Sequence, residues 1–188
     1  MTGWWLASYL ALWGLVAILG LLVVALARQV GTLHLRLGPR GALEVDEEGP
    51  PLGEAPPPLQ ATALDGSPLL VGGPGERRLV MFVSPECPIC RDVLPSVPVV
   101  ARAHDLRPYV VADDDSETAR RTYAGVNGTM SVALGPGLAE AYDVPGTPYV
   151  VVLDETGTVT AKGTVNNLEQ LEGLADTAHA REEAGVTE

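Results

Sequence analysis

The sequence predicts an α/β domain built on a mixed sheet with helices on both faces, preceded by one N-terminal transmembrane helix. Three observations predict it. Met1 through Ala27 carry no charged side chain. From Leu59 onward, apolar strand-like runs alternate with helical spacing and finish in a hairpin and a helix. Between one such strand and the next helix stand both cysteines of the chain, Cys87 and Cys90.

The N-terminal run comes first. Trp4 to Ala27 is almost wholly apolar, and at about 1.5 Å per residue such a helix can cross a hydrocarbon core of about 30 Å. Trp4, Trp5, Tyr9 and Trp13 crowd its first half, where amphipathic rings suit a membrane interface. Ala25-Leu26-Ala27 resembles the small-residue cleavage site of a removed signal peptide. Against removal, no Lys or Arg precedes the run, and the run exceeds the roughly 7–15 residues of a signal peptide's apolar region. A retained anchor over residues 1–27 is therefore the expectation. A buried core helix is the weakest reading, because the rest of the chain could not cover it on every side. Arg28, Arg36 and Arg40 follow the span and nothing basic precedes it, so the positive-inside rule places the C-terminal domain in the cytoplasm. The acidic run Glu44, Asp46, Glu47 and Glu48 offsets this only weakly.

Residues 28–58 read as a juxtamembrane segment and linker. From 41 to 58 the chain is rich in Gly, Pro and Glu and ends in Pro56-Pro57-Pro58. That composition predicts an extended, semi-rigid spacer and not a packed element. The folded domain is expected over residues 59–180. Leu59 to Leu64 and Leu69 to Val71 flank an Asp65-Gly66 turn, which predicts a hairpin. Leu79 to Val83 is a continuous apolar run, as in a strand covered on both faces. Arg91 to His104 has helical spacing, bent by Pro95 and Pro98. Tyr109 to Ala112 predicts a second buried strand, followed by the acidic turn Asp113 to Asp115 and a helix to about Ala124. Gly137 to Tyr142 suggests a short helix. Tyr149 to Leu153 and Thr158 to Lys162 form a hairpin across Glu155-Thr156-Gly157, and an amphipathic helix from Asn167 to about Arg181 closes the domain. Residues 181–188 are a flexible tail.

Composition narrows the chemistry. The chain has 188 residues, a formal net charge of −12, a pI near 4.6 and 46% apolar residues. An acidic surface repels phosphate backbones, which argues against nucleic-acid binding. Two cysteines cannot make a disulfide framework, and without a second pair they lack the four ligands of a structural zinc site. Neither a metal nor another cofactor is expected.

Cys87-Pro88-Ile89-Cys90 follows a strand and opens a helix. That context puts Cys87 near unpaired helix N–H groups, which favour a thiolate. Pro88 suits the first helical position, where its missing N–H costs nothing. Cys90 falls one turn further in and more buried, placed to attack a mixed disulfide on Cys87. Two buried structural cysteines, or a non-catalytic copper carrier, are the competing readings. Such carriers usually add a histidine near the site, and none follows Cys90 until His104. His104 is expected on a helix surface, with His34 and His179 outside the core.

Further features resemble thioredoxins. Pro95 lies five residues after Cys90, the spacing of their helix-kinking proline. Val144-Pro145-Gly146-Thr147-Pro148 precedes an apolar strand and is similar to their cis-proline loop. The resemblance implies that the Thr147 backbone sits beside the cysteines and offers strand-like hydrogen bonds to a substrate, with Pro148 in the cis form. Two positions depart from the pattern. Met81 stands where thioredoxins place a buried acid, so no base for Cys90 is obvious. Glu86 replaces the usual tryptophan before the first cysteine, and a solvated surface position is favoured over a role as proton acceptor.

With the apolar anchor, Arg28-Gln29-Val30-Gly31, Leu37-Gly38-Pro39-Arg40-Gly41-Ala42-Leu43 and Ser84-Pro85-Glu86-Cys87-Pro88-Ile89-Cys90 in view, the chain resembles the methylamine dehydrogenase accessory protein (MauD) family, within the thioredoxin-like superfamily. The resemblance implies a membrane-anchored thiol–disulfide oxidoreductase with Cys87 and Cys90 as catalytic residues. Its implied partner is a cysteine-rich protein, the small subunit of methylamine dehydrogenase, whose disulfides it forms or rearranges in the periplasm or otherwise outside the membrane. A membrane redox partner that resets the CxxC pair is implied as well. An extracytoplasmic domain conflicts with the arginine bias after the span. The nearest rival is an anchored thiol reductase of the kind used in cytochrome c maturation.

Overall fold

The computed structural model describes residues 3–36, 48–126 and 128–185. Leu37 to Leu43 of the juxtamembrane motif, the linker up to residue 47, and the end of the tail lie outside the described residues. The chain divides into two units, Met1–Gly38 and Pro39–Glu188.

Helix α1, Gly3–Arg36, makes up the first unit. Its stretch Gly3–Val23 is 21 residues long, long and apolar enough to cross a membrane. Every described side chain there is exposed, Trp4, Trp5 and Trp13 included. The hydroxyl of Ser8 donates to the carbonyl of Trp5 at 3.0 Å, so this polar group is satisfied within the helix. The helix continues beyond Ala27 to Arg36.

The second unit is a seven-stranded sheet in the order β2-β1-β5-β4-β3-β6-β7. Strands β1 (Leu59–Ala63) and β2 (Pro68–Val71) form the expected hairpin, with the Ala63 N–H bonded to Ser67 O across the Asp65-Gly66 turn. Strands β3 (Arg78–Val83), β4 (Arg107–Ala112) and β5 (Ser131–Leu134) run parallel, whereas β6 (Tyr149–Leu153) and β7 (Val159–Thr164) are antiparallel to their neighbours. Strand β5 was not expected. Its Ser-Val-Ala-Leu sequence is apolar at three positions but too short to declare a strand by itself, so its pairing with β4 and β1 decides its conformation.

The continuous apolar runs serve both faces, because successive side chains on a strand point to opposite sides. Leu79, Met81, Val83, Val110, Val150 and Val152 face one core. Val80, Phe82, Val111, Tyr149, Val151 and Leu153 face the other. Four helices contribute to the first core: α2 (Pro88–Val93), α3 (Val97–Ala103), α4 (Glu117–Tyr123) and α6 (Leu168–Glu183). Among the described residues only the short α5 (Leu138–Ala141) lies on the second. Helices do lie on both faces, but very unequally.

Residues 48–54 of the linker pack on the second face, which corrects the expectation of an unpacked spacer there. Leu52 packs on that core, Gly49 and Pro50 are buried, and the Gly53 N–H and Glu54 carbonyl bond to the backbone of Val159 at 2.9 Å each. A sheet with one short helix on one side leaves apolar area to cover, and residues 48–54 cover part of it. The helix opens at Pro88 and bends at its prolines as expected, with the bend taking the form of a 3-10 turn at Leu94–Ser96 before α3 resumes. Pro95 and Pro98 lack the N–H groups that an unbroken helix would use there.

Candidate active site

Antiparallel pairing of β3 with β6 builds the site. Phe82 pairs with Tyr149, so the end of β3 and the start of β6 lie side by side. The loop leaving β3 carries Cys87, and the loop entering β6 carries Thr147 and Pro148. Residues sixty positions apart in sequence therefore meet, and the Cys87 sulfur lies 3.7 Å from the Thr147 carbonyl oxygen. The Thr147–Pro148 peptide is cis. Pro148 is buried and Thr147 exposed.

Cys87 is the N-cap of α2, with extended backbone and its sulfur accepting from the Cys90 N–H at 3.1 Å. Pro88 occupies the first helical position, where no N–H is missed. Cys87 and Cys90 are joined as a disulfide with their Cα atoms 5.3 Å apart. Their surroundings differ sharply. Cys90 is 1% exposed and belongs to the core, whereas Cys87 is only half-buried. Pro88 is exposed and Ile89 is 40% exposed, giving an apolar rim beside the outer sulfur. An incoming thiolate can reach Cys87, and Cys90 is then the leaving group, one helical turn inside. Met81 is fully buried in the same core as Cys90. The buried charged side chains among the described residues, Arg78 and Lys162, are both cationic.

Several neighbours carry no sequence signal of their own. Ser84 donates to the Glu86 carboxylate at 2.8 Å and accepts from the Glu86 N–H at 3.3 Å, so Glu86 is exposed and engaged locally. Asp113, at the end of β4, accepts from the Ala139 N–H at 3.2 Å and steadies α5. Tyr123 on α4 is 2% exposed, and its hydroxyl has no hydrogen-bond partner among the described residues. Burial, then the charges of Glu86 and Asp114, push this phenol far above the usual tyrosine value. His104 is not on the surface as expected. It ends α3 half-buried, 3.7 Å from Asp176. His179 is exposed beside Glu183. Among the described residues no group of three or more His, Cys, Asp or Glu side chains converges as metal ligands.

A mixed sheet, a strand–CxxC–helix disulfide with an outer and a buried sulfur, and a cis-proline loop against the outer one define a thioredoxin-like thiol–disulfide oxidoreductase. The thioredoxin-like domain family matches residues 69–179, and solved structures share the fold. One is a putative protein disulfide isomerase from Bacteroides thetaiotaomicron, at TM-score 0.60 and 18% identity over 72% of this chain and 95% of that one. Another is a putative DsbE thiol:disulfide interchange protein from Chlorobium tepidum, at TM-score 0.59 and 20% identity over 70% and 97%. Within that class, the chain belongs to the family of the methylamine utilization protein MauD. It is 35% identical to MauD of Methylobacillus flagellatus over 94% of this chain and 87% of the relative. It is also 35% identical to MauD of Paracoccus denitrificans over 94% and 90%.

Proposed function

We propose that this protein forms or rearranges disulfides in a secreted, cysteine-rich partner, with Cys87 as the exchanging sulfur, Cys90 as the resolving one, and Thr147 and Pro148 as the substrate grip. The observation that carries this reading is the contrast between the two sulfurs: one half-buried against the Thr147 carbonyl, the other sealed in the core. A substrate thiolate attacks the Cys87 sulfur, the Cys87–Cys90 bond breaks, and Cys90 leaves as a thiolate. A second substrate thiolate then attacks the substrate sulfur of the mixed disulfide and expels Cys87 as a thiolate. The substrate gains a disulfide, the enzyme gains two electrons, and a membrane redox partner removes them. Kinship with the MauD proteins supports the small subunit of methylamine dehydrogenase as the partner. Helix α1 is the anchor, and the catalytic domain lies outside the cytoplasm, where disulfides persist. The arginines after the span oppose that orientation. Only three occur, at Arg28, Arg36 and Arg40, and an uncharged N-terminal flank sets little bias of its own.

Cys90→Ser in the full-length, membrane-embedded protein tests the partner. In that variant the Cys87 thiolate attacks a disulfide of the substrate and expels one substrate thiolate, and with no Cys90 to displace the other, a mixed disulfide containing the amine dehydrogenase small subunit should persist, visible on non-reducing gels. Capture of cytochrome c maturation proteins instead would give the pair a reducing role. A reporter fused after Glu188 tests the side of the membrane: alkaline phosphatase should be active, and a silent one beside a fluorescent cytoplasmic fusion would place the domain inside.

A further inference from the structure

The tether does more than cover apolar surface. Two of its contacts fall on the ends of the loop that meets Cys87. At one end the Gly49 N–H donates to the Asp143 carbonyl at 3.0 Å. At the other, the Tyr149 hydroxyl donates to the Glu48 carbonyl at 2.9 Å. Residues 143 and 149 bracket Val144-Pro145-Gly146-Thr147-Pro148, whose Thr147 carbonyl faces the outer sulfur. Asp143 itself has φ +50, in the left-handed region that Asp enters more readily than most side-chain-bearing residues.

Glycine is required on the tether side of this clasp. Gly49 has φ +74, and a Cβ there would run into the Tyr149 phenol, within 2.9 Å of its ring carbon Cε1. That ring cannot yield, since Tyr149 is 1% exposed and packed among the second core. Further along the segment, the backbone bonds of Gly53 and Glu54 go to Val159 and not to the loop, and Leu52 packs on the second core. One short segment therefore has a fastening part and a covering part, and the two can be separated by mutation.

We infer that residues 48–49 position the 143–148 loop, so that the docked tether sets how tightly a substrate is gripped beside Cys87. This rests on the reading of Thr147 and Pro148 as the substrate grip. Tyr149 and Gly49 act through the loop and are positioning residues. Tyr149 belongs to the second core whereas both cysteines belong to the first, so chemistry at Cys87 with a small thiol should not depend on the clasp.

The test uses the full-length protein in detergent micelles with two probes, glutathione and a short peptide closed by one disulfide. For Tyr149→Phe and Gly49→Ala, KM for the peptide should rise about threefold to tenfold, the worth of one buried hydrogen bond, with kcat within about twofold. Rate and equilibrium with glutathione should match the wild type. Leu52→Ala is the control, with a lower Tm and an unchanged peptide KM. Unchanged peptide KM in both clasp variants would overturn the inference, as would an equal rise in Leu52→Ala. A wild-type protein inert toward glutathione and peptide alike would instead sink the oxidoreductase reading beneath it.

Discussion

At the scale of single residues, the group that caps α2 is also the sulfur proposed to exchange. Capping holds Cys87 in place, and the N–H it accepts from is that of Cys90, so the two cysteines are coupled through backbone as well as through the disulfide. A thiolate at Cys87 gains from the same helix-end donors. Alkylation of the reduced protein at limiting reagent should therefore label Cys87 first, because Cys90 is 1% exposed. Preferential labelling of Cys90, read by peptide mass, would reverse the roles. Cys87→Ser should lose all exchange while melting like the reduced wild type, because serine is itself a good N-cap. Met81 marks the clearest residue-level departure from thioredoxins. The described core offers no carboxylate to take the proton of Cys90, so that proton leaves by another route.

Elements owe their boundaries to local chemistry where the caps are strong. Helix α6 begins at Asn167 because its side chain accepts from the Gln170 N–H at 2.9 Å, while the Gln170 side chain accepts from the Asn166 N–H at 2.7 Å. In the sequence the amphipathic spacing starts the helix at Asn167, and this pair of bonds is what fixes that start. Asn167→Ala should cost about 1 kcal/mol, lowering Tm by about 2–4 °C in a domain of this size. A scanning calorimetry trace unchanged by the substitution would show that tertiary packing alone holds the helix start. The C-terminal end of α6 is tied by Arg77, which pairs with Glu182 at 2.6 Å and donates to the His104 carbonyl at 2.9 Å. No sequence pattern announced that tie, since its three partners come from three separate elements. Strand β5 escaped for a related reason: four residues of middling β propensity become a strand only between β4 and β1.

For the whole molecule, two buried phenols set an alkaline limit. Burial pushes Tyr142 up to about 12, against a smaller opposing pull from the Arg78 cation, and Tyr123 is pushed higher still by burial, Glu86 and Asp114. In the unfolded chain both titrate near about 10. A raised folded pKa means that folding favours the protonated phenol. The stabilisation is complete below pH about 10 and is lost as pH rises through the folded values. Urea midpoints should hold steady up to about pH 10 and fall between about pH 10 and 12, with tyrosinate absorbance appearing together with unfolding. Tyrosinate signal from all five tyrosines near pH 10 in a still-folded protein would contradict the burial of Tyr123 and Tyr142.

The sequence by itself determined the long apolar helix, the order of nearly every strand and helix in the domain, and the pairing of Cys87 with Cys90. All three are written in short-range patterns, because period, caps and a two-residue spacer are local properties. It also pointed to Thr147 and Pro148, though through likeness to other proteins and not through their own chemistry. Only the tertiary structure decided what lies next to what. The 3.7 Å approach of Thr147 to Cys87 follows from the antiparallel register of β3 and β6. The docking of a Pro- and Gly-rich segment as part of the core follows from a sheet face that one short helix leaves uncovered. Composition read those linker residues as extended, and residues 48–54 do run without helix or strand of their own. What composition could not carry is the apolar surface waiting for them, since that surface exists only once strands distant in sequence have assembled.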